Sequence, residues 1–244
     1  MHYLGMNSPI SVTDNAGPQQ GVSQHCLLIR NAAYFNREGA TRLVTGDLDG
    51  AFAPLFAALE TLALAGGLLP SQGILSAYFA RTFPFEQAPK RPSPKNTRPS
   101  RDEGSYFVYG NPFVFQPIDV DTPEYATNCT AVCLFNLALA YHKRGQLADS
   151  QSLFRARTLY AMSLQLVDSM SCQAACANLK VAGTNNKAHV HFEVSDVCDA
   201  KNTLRDLLII LGTKGHPPPF AEDEIEKFYM NILHLNGSTL AAAA

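Results

Sequence analysis

Apolar residues recur along most of this chain at helical spacing. Leu134, Leu137, Ala138 and Tyr141 fall on one face of a 3.6-residue period, and Leu147, Leu153, Ala156, Leu159 and Tyr160 form a second stripe just beyond it. Gly145 stands between the stripes as a helix stop, and Ala138 is small enough to let the two helices approach closely. An earlier stretch repeats the pattern: Cys26, Ile29, Ala33 and Leu43, closed by Thr45-Gly46-Asp47, precede a helix expected over 48–64. That helix has a wide apolar face of Ala51, Leu55, Phe56, Ala58, Leu59 and Leu62. Pro54 inside it should distort it unless the helix starts later. A weaker hairpin follows at 184–210, where Ala188 and Ala200 take the small positions, Ser195 replaces the turn glycine, and Leu204 and Leu207 supply the packing face. Residues 222–235 place Ile225, Phe228, Tyr229, Ile232 and Leu233 on one side. With their acidic first turn they read as a helix that covers the last apolar face of an array.

Three stretches depart from this period. Residues 106–118, aromatic and β-branched but broken by Pro112 and Pro117, are the most strand-like, and the prolines confine them to an edge or a two-strand ribbon whose partner would be 8–12. Residues 86–105 carry prolines and basic side chains without a large hydrophobe, so they cannot offset their ordering entropy and read as a disordered insertion. Residues 1–21 form an extended arm, and 74–82 a further apolar helical piece ahead of Pro84. One domain spanning 1–244 is the simplest division. The fold class is all-α: helical hairpins, one short two-strand ribbon and a disordered loop.

A small residue, an aromatic three later and a turn glycine, as at Ala138, Tyr141 and Gly145, resemble the first helix of a tetratricopeptide (TPR) repeat. Gly39, Gly46, Ala51 and Ala58 fit the same scheme in the first hairpin, and Ala188 marks the third. The FNLALAYH centre, the NNxAHxHFE third helix and the FxxNIL last helix are similar to uncharacterised TPR-like proteins of diatoms. The resemblance implies an α–α superhelix with a concave groove. In several TPR families an asparagine two residues before the small position hydrogen-bonds the backbone of an extended peptide in that groove. Asn136 and Asn186 stand at that place, and Arg37 holds it in the first repeat. An amide carries both a donor and an acceptor and so matches a peptide unit. The alternative is that these asparagines bond a neighbouring helix or loop of the chain itself. His189, one residue after Ala188, points outward in the helical reading and joins the candidate partner-binding set.

A net charge of −2 gives no electrostatic case for nucleic acid or an anionic membrane. Neither a signal peptide nor an apolar run of membrane-spanning length is apparent, so an intracellular, cytoplasmic protein is expected. The cysteines, with Cys129/Cys133 and Cys172/Cys176 at helical i, i+4 spacing, read as reduced, buried thiols. One stretch invites chemistry. Read as a strand, GTNNKAHVHFEV puts His189, His191 and Glu193 on one side, like the start of a cupin metal motif. The rest of that motif does not follow. No nucleophile elbow, phosphate loop or HExxH pattern occurs, and no catalytic, cofactor or metal residue is assigned. The expected function is a scaffold binding a protein or peptide. A cupin-like metal enzyme using His189 and His191 is the alternative.

Overall fold

Short polar residues begin most of the helices. In the computed structural model, which describes residues 23–66, 106–116, 122–147, 149–170, 176–213 and 220–241, Ser23 caps α1 (Gln24–Thr45), Asp47 caps α2 (Leu48–Leu64) and Thr122 caps α3 (Pro123–Gln146). Asp149 caps α4 (Ser150–Ser169) and Asp196 caps α6 (Val197–Gly212), each side chain accepting from a backbone N–H of the first turn. Pro123 sits at the first helical turn of α3, where its missing N–H costs nothing. The remaining two helices are α5 (Ala177–Glu193) and α7 (Glu222–Ala241). Among the described residues all regular structure is helical.

Each helix packs against its neighbours in sequence, and α1 with α3 and α3 with α5 touch as well. The odd-numbered helices thereby share a surface, with α2, α4 and α6 behind it. The short turns fix this pairing. Gly46 adopts φ 81° and Ser195 φ 65°, so the expected turn positions of the first and third hairpins both use the left-handed conformation. α3 is the centre: Leu134, Phe135, Leu137, Ala138, Leu139 and Ala140 are all buried, a helix covered on nearly every side.

Several expectations need correction. Gly145 does not stop α3, which runs on to Gln146. A side chain there would meet Leu153 Cδ2 at 2.5 Å, so the glycine is demanded by the approach of α4 rather than by a turn. Leu147 is the cap residue and is 76% exposed, outside the apolar stripe that Leu153, Ala156, Leu159 and Tyr160 do form. Pro54 lies within α2, which nevertheless starts at Leu48. The ring is buried, and packing offsets the lost hydrogen bond. The third hairpin starts earlier than 184, at Ala177, because Leu179, Val181 and Ala182 extend its buried face. The last helix extends to Ala241.

Residues 106–116 are extended but form no strand ladder. Their expected partner, 8–12, lies outside the described residues, as do 1–21, 74–82, 86–105 and Cys172. Cys129 and Cys133 are buried on α3, while Cys176 holds the N-cap position of α5 and makes no capping side-chain hydrogen bond. Burial pushes the Cys129 thiol up to about 12 and the Cys133 thiol well above its ordinary value, so both stay protonated.

Candidate functional site

The extended segment 106–116, the strap, lies along the surface shared by the odd-numbered helices, and asparagine side chains hold it there. In an extended chain the N–H and C=O of one residue point the same way, so a single primary amide can bond both. Asn186 on α5 does this to Tyr109, accepting from its N–H at 2.8 Å and donating to its C=O at 2.9 Å. Asn136 on α3 does it to Phe113, at 2.9 and 2.6 Å. Asn231 on α7 does it to Phe107, at 2.7 Å for both bonds. The clamped residues all have the same parity, as the alternation of an extended backbone requires.

The clamps are themselves braced. Asn136 donates its second N–H to Asn36 Oδ1 at 2.8 Å, and Asn36 donates to the Phe113 carbonyl at 3.1 Å. Asn231 donates to Asn185 Oδ1 at 2.7 Å, and Asn185 donates to the Phe107 carbonyl at 2.9 Å. Asn186 donates to the Tyr160 hydroxyl at 3.1 Å. Every clamp thus spends one acceptor and one donor on the strap and its second donor on a buried support. Lys143 adds a bond to the Gly110 carbonyl at 3.1 Å, and burial lowers its pKa. At the outer end Arg37 reaches Gln116 Oε1 at 3.3 Å, and the Tyr125 hydroxyl bonds the Gln116 carbonyl.

Aromatic packing completes the seat. Tyr109 stacks on Phe113 with ring centroids 5.5 Å apart and meets Phe220 at 5.4 Å. Phe113 lies edge-on to Phe135 at 5.0 Å, and Phe107 lies edge-on to Phe228 at 5.3 Å.

Behind Asn186 runs a buried polar chain. His142 Nδ1 lies 3.4 Å from the Tyr160 hydroxyl, His142 Nε2 lies 2.9 Å from His189 Nδ1, and His189 Nε2 lies 3.7 Å from Glu193 Oε1. One proton assignment satisfies the whole chain. Asn186 donates to the Tyr160 oxygen, Tyr160 O–H to His142 Nδ1, His142 Nε2–H to His189 Nδ1, and His189 Nε2–H faces the carboxylate. Burial, with the neighbouring His189, holds the His142 pKa well below its ordinary value, so the ring is neutral.

The four candidate residues therefore divide. Asn136 and Asn186 both bond the strap, a segment of the chain itself, which is the alternative that the sequence left open, and Arg37 reaches its far end. His189 does not point outward as expected: it is buried and supports the Asn186 clamp from behind, because the His142 ring offers it a polar partner inside. In the first hairpin the clamp-side residue is Asn36, one position before Arg37. Asn36, Asn185 and Asn231 were not singled out from the sequence. Their signal is an amide standing on the apolar stripe of successive odd-numbered helices, as in AAYFN and FYMN.

Residues 177–193 are helical, so the strand that would align His189, His191 and Glu193 does not form. His189 turns toward His142, whereas His191 Nδ1 lies 3.3 Å from Asp196 Oδ2. Ligand atoms of His191, Asp196 and Asp199 come within 4.8 Å of one another, but Asp196 is already committed to capping α6 and faces Arg157. No helix among the described residues is long and apolar enough to cross a membrane. No protein-family model, curated protein or solved structure matches the chain.

Proposed function

We propose that the protein is an intracellular interaction scaffold of TPR-like helical hairpins, whose groove binds an extended peptide of a partner protein through its backbone. The observation that supports this reading is the set of amide clamps. Asn136, Asn186 and Asn231 each bond the N–H and C=O of one extended residue, an arrangement suited to any peptide backbone in that conformation. In the described state the strap takes the place that such a peptide would occupy.

The test is the Asn136→Ala/Asn186→Ala double variant. Partners recovered with the wild-type chain are identified, and their affinity is then measured beside the unfolding free energy of both proteins. Each hydrogen bond contributes about 0.5–1.5 kcal/mol, so the four bonds of the two clamps account for about 2–6 kcal/mol, roughly 30-fold or more in affinity. Because the strap makes the same bonds, the two asparagines are also replaced in a chain whose strap is loosened by Tyr109→Ala, where lower affinity per folded molecule is the expected result. Lost stability with unchanged affinity would mean that the asparagines serve only to fasten the strap.

A further inference from the structure

We infer that the groove is selective for an extended segment of another protein with aromatic side chains at its first, third and seventh positions, and that the strap is a built-in competitor which such a segment displaces. The inference rests on the reading of the groove as a peptide-binding surface.

Backbone clamps carry no side-chain information, so selectivity must come from the seats beside them. The clamped residues Phe107, Tyr109 and Phe113 are each seated on a ring as well, Phe107 on Phe228, Tyr109 on Phe220 and Phe113 on Phe135, while Tyr106 beside them packs on Phe192 at 4.4 Å without a clamp. Lys227 Nζ lies 5.5 Å from the centre of the Phe107 ring, a cation–π contact that an aliphatic side chain could not replace. Between the anchors, Gly110 is met through its carbonyl by Lys143, and Pro112 has no N–H to satisfy. An incoming segment therefore needs its aromatics at the anchor positions and little in particular between them.

Displacement is feasible because of how the strap is held. Among the described residues no backbone–backbone hydrogen bond joins the strap to the helices; side chains supply its polar attachments. A second extended chain restores each of those bonds, so exchange costs no permanent loss of hydrogen bonding. The Gln116 end, held by the exposed bond from Arg37 and by Tyr125, is where release would start. The strap, being tethered, competes at an effective concentration of about millimolar, and with an intrinsic strap dissociation constant of about 10 μM it weakens partner binding roughly 100-fold relative to a chain with a loosened strap.

The experiment uses a fluorescent peptide of sequence 106–116 and a second peptide with alanine in place of its three anchors. Each is titrated into the full-length wild-type chain and into the full-length strap variants Phe107→Ala and Tyr109→Ala. Circular dichroism and thermal unfolding check each protein, and light scattering its oligomeric state. Binding of the aromatic peptide by the loosened variants, much weaker binding by wild type and none of the alanine peptide is the expected result. Equal binding of both peptides would leave the groove reading standing and overturn the aromatic selectivity. A folded variant that binds neither peptide would overturn the groove reading itself. Dimers formed by strap exchange would make a second copy the occupant and overturn the heterologous partner. Failure of both variants to fold would show that the strap is an integral part of the core and overturn displacement.

Discussion

Asn136 donates a hydrogen bond to Asn36 at 2.8 Å across a separation of 100 residues, and both amides close on the carbonyl of Phe113. This pair ties α1 to α3 and both helices to the strap. Asn231 and Asn185 repeat the arrangement at Phe107, tying α7 to α5. The array is therefore stitched along its shared surface by an extended chain, with Asn186 between the two pairs. Such a network is costly to break at any member, because each amide is buried and every loss strands a partner.

Asn136→Ala and Asn186→Ala are each expected to lower the unfolding free energy by about 1–3 kcal/mol, since each leaves a strap N–H without its acceptor. Asn136→Asp is expected to cost more than Asn136→Ala. A carboxylate keeps the acceptor but puts one oxygen in place of the nitrogen that carries both donors, so that it faces the Phe113 carbonyl and Asn36 Oδ1. Urea unfolding of the three variants checks the order, and an aspartate variant as stable as wild type would contradict the amide orientation.

The hairpins were legible because their signals are local: apolar period, N-cap residues and the turns at Gly46 and Ser195 all act within a few positions of sequence. The amphipathic faces of α1, α2 and α4 follow directly from spacing. What was not legible depends on contacts between distant elements. Gly145 reads as a stop because glycine commonly ends helices, and only the position of Leu153 shows that it is a packing residue. The 106–116 stretch reads as a strand because extended, aromatic sequence suits one, yet its hydrogen-bond partners are side chains from helices far along the chain. His189 reads as outward because periodicity cannot register that His142, 47 residues away, gives it a buried partner. Asn136 and Asn186 are legible through their place two residues before a small residue, and the same offset from Gly39 lands on Arg37, whereas the amide that reaches Phe113 is its neighbour Asn36.

The two glycine roles separate experimentally. At Gly46 an added Cβ meets open space, and the cost of Gly46→Ala comes from φ 81° alone, about 1–2 kcal/mol. Gly145→Ala gains helix propensity of about 1 kcal/mol but forces Leu153 away, with a net loss expected from overpacking of about 1–3 kcal/mol. In a Leu153→Ala background the contacts with the Leu153 side chain are gone and only the backbone nitrogen at 3.1 Å remains close, so Gly145→Ala loses most of its cost while Gly46→Ala keeps its full cost. A double-mutant cycle with no coupling between positions 145 and 153 would contradict this account.

Acid should destabilise the fold through His142. Its folded pKa is lowered by burial, by His189 and by Lys143, so below about 6.5 the unfolded chain takes up a proton that the native ring refuses. Stability is then full above about pH 6.5 and falls as pH drops, by up to about 1.4 kcal/mol per pH unit for this one group. His191, whose pKa burial also lowers, adds in the same direction. Unfolding measured from pH 7.5 to 5 in wild type and in His142→Gln shows the contribution: the variant's curve is expected to be flatter by about one proton. An unchanged slope would place the titration elsewhere.

Tyr160→Phe tests whether the buried chain behind Asn186 acts on the strap. The ring is fully buried and edge-on to Phe135, and phenylalanine keeps that packing while removing one oxygen. Asn186 then loses the acceptor of its second N–H, and His142 Nδ1 loses its donor. The expected loss of stability is about 1–3 kcal/mol. The local readout is sharper than the global one. With its brace removed, Asn186 is freer to leave Tyr109, so hydrogen exchange at the Tyr109 amide should accelerate more than at the Phe113 amide, which Asn136 and Asn36 hold independently. NMR-detected exchange at both amides decides between the two accounts. Selective loss at Tyr109 means that the Tyr160–His142–His189 chain sets the strength of one clamp, whereas equal acceleration at both sites would reduce Tyr160 to a residue of the general core.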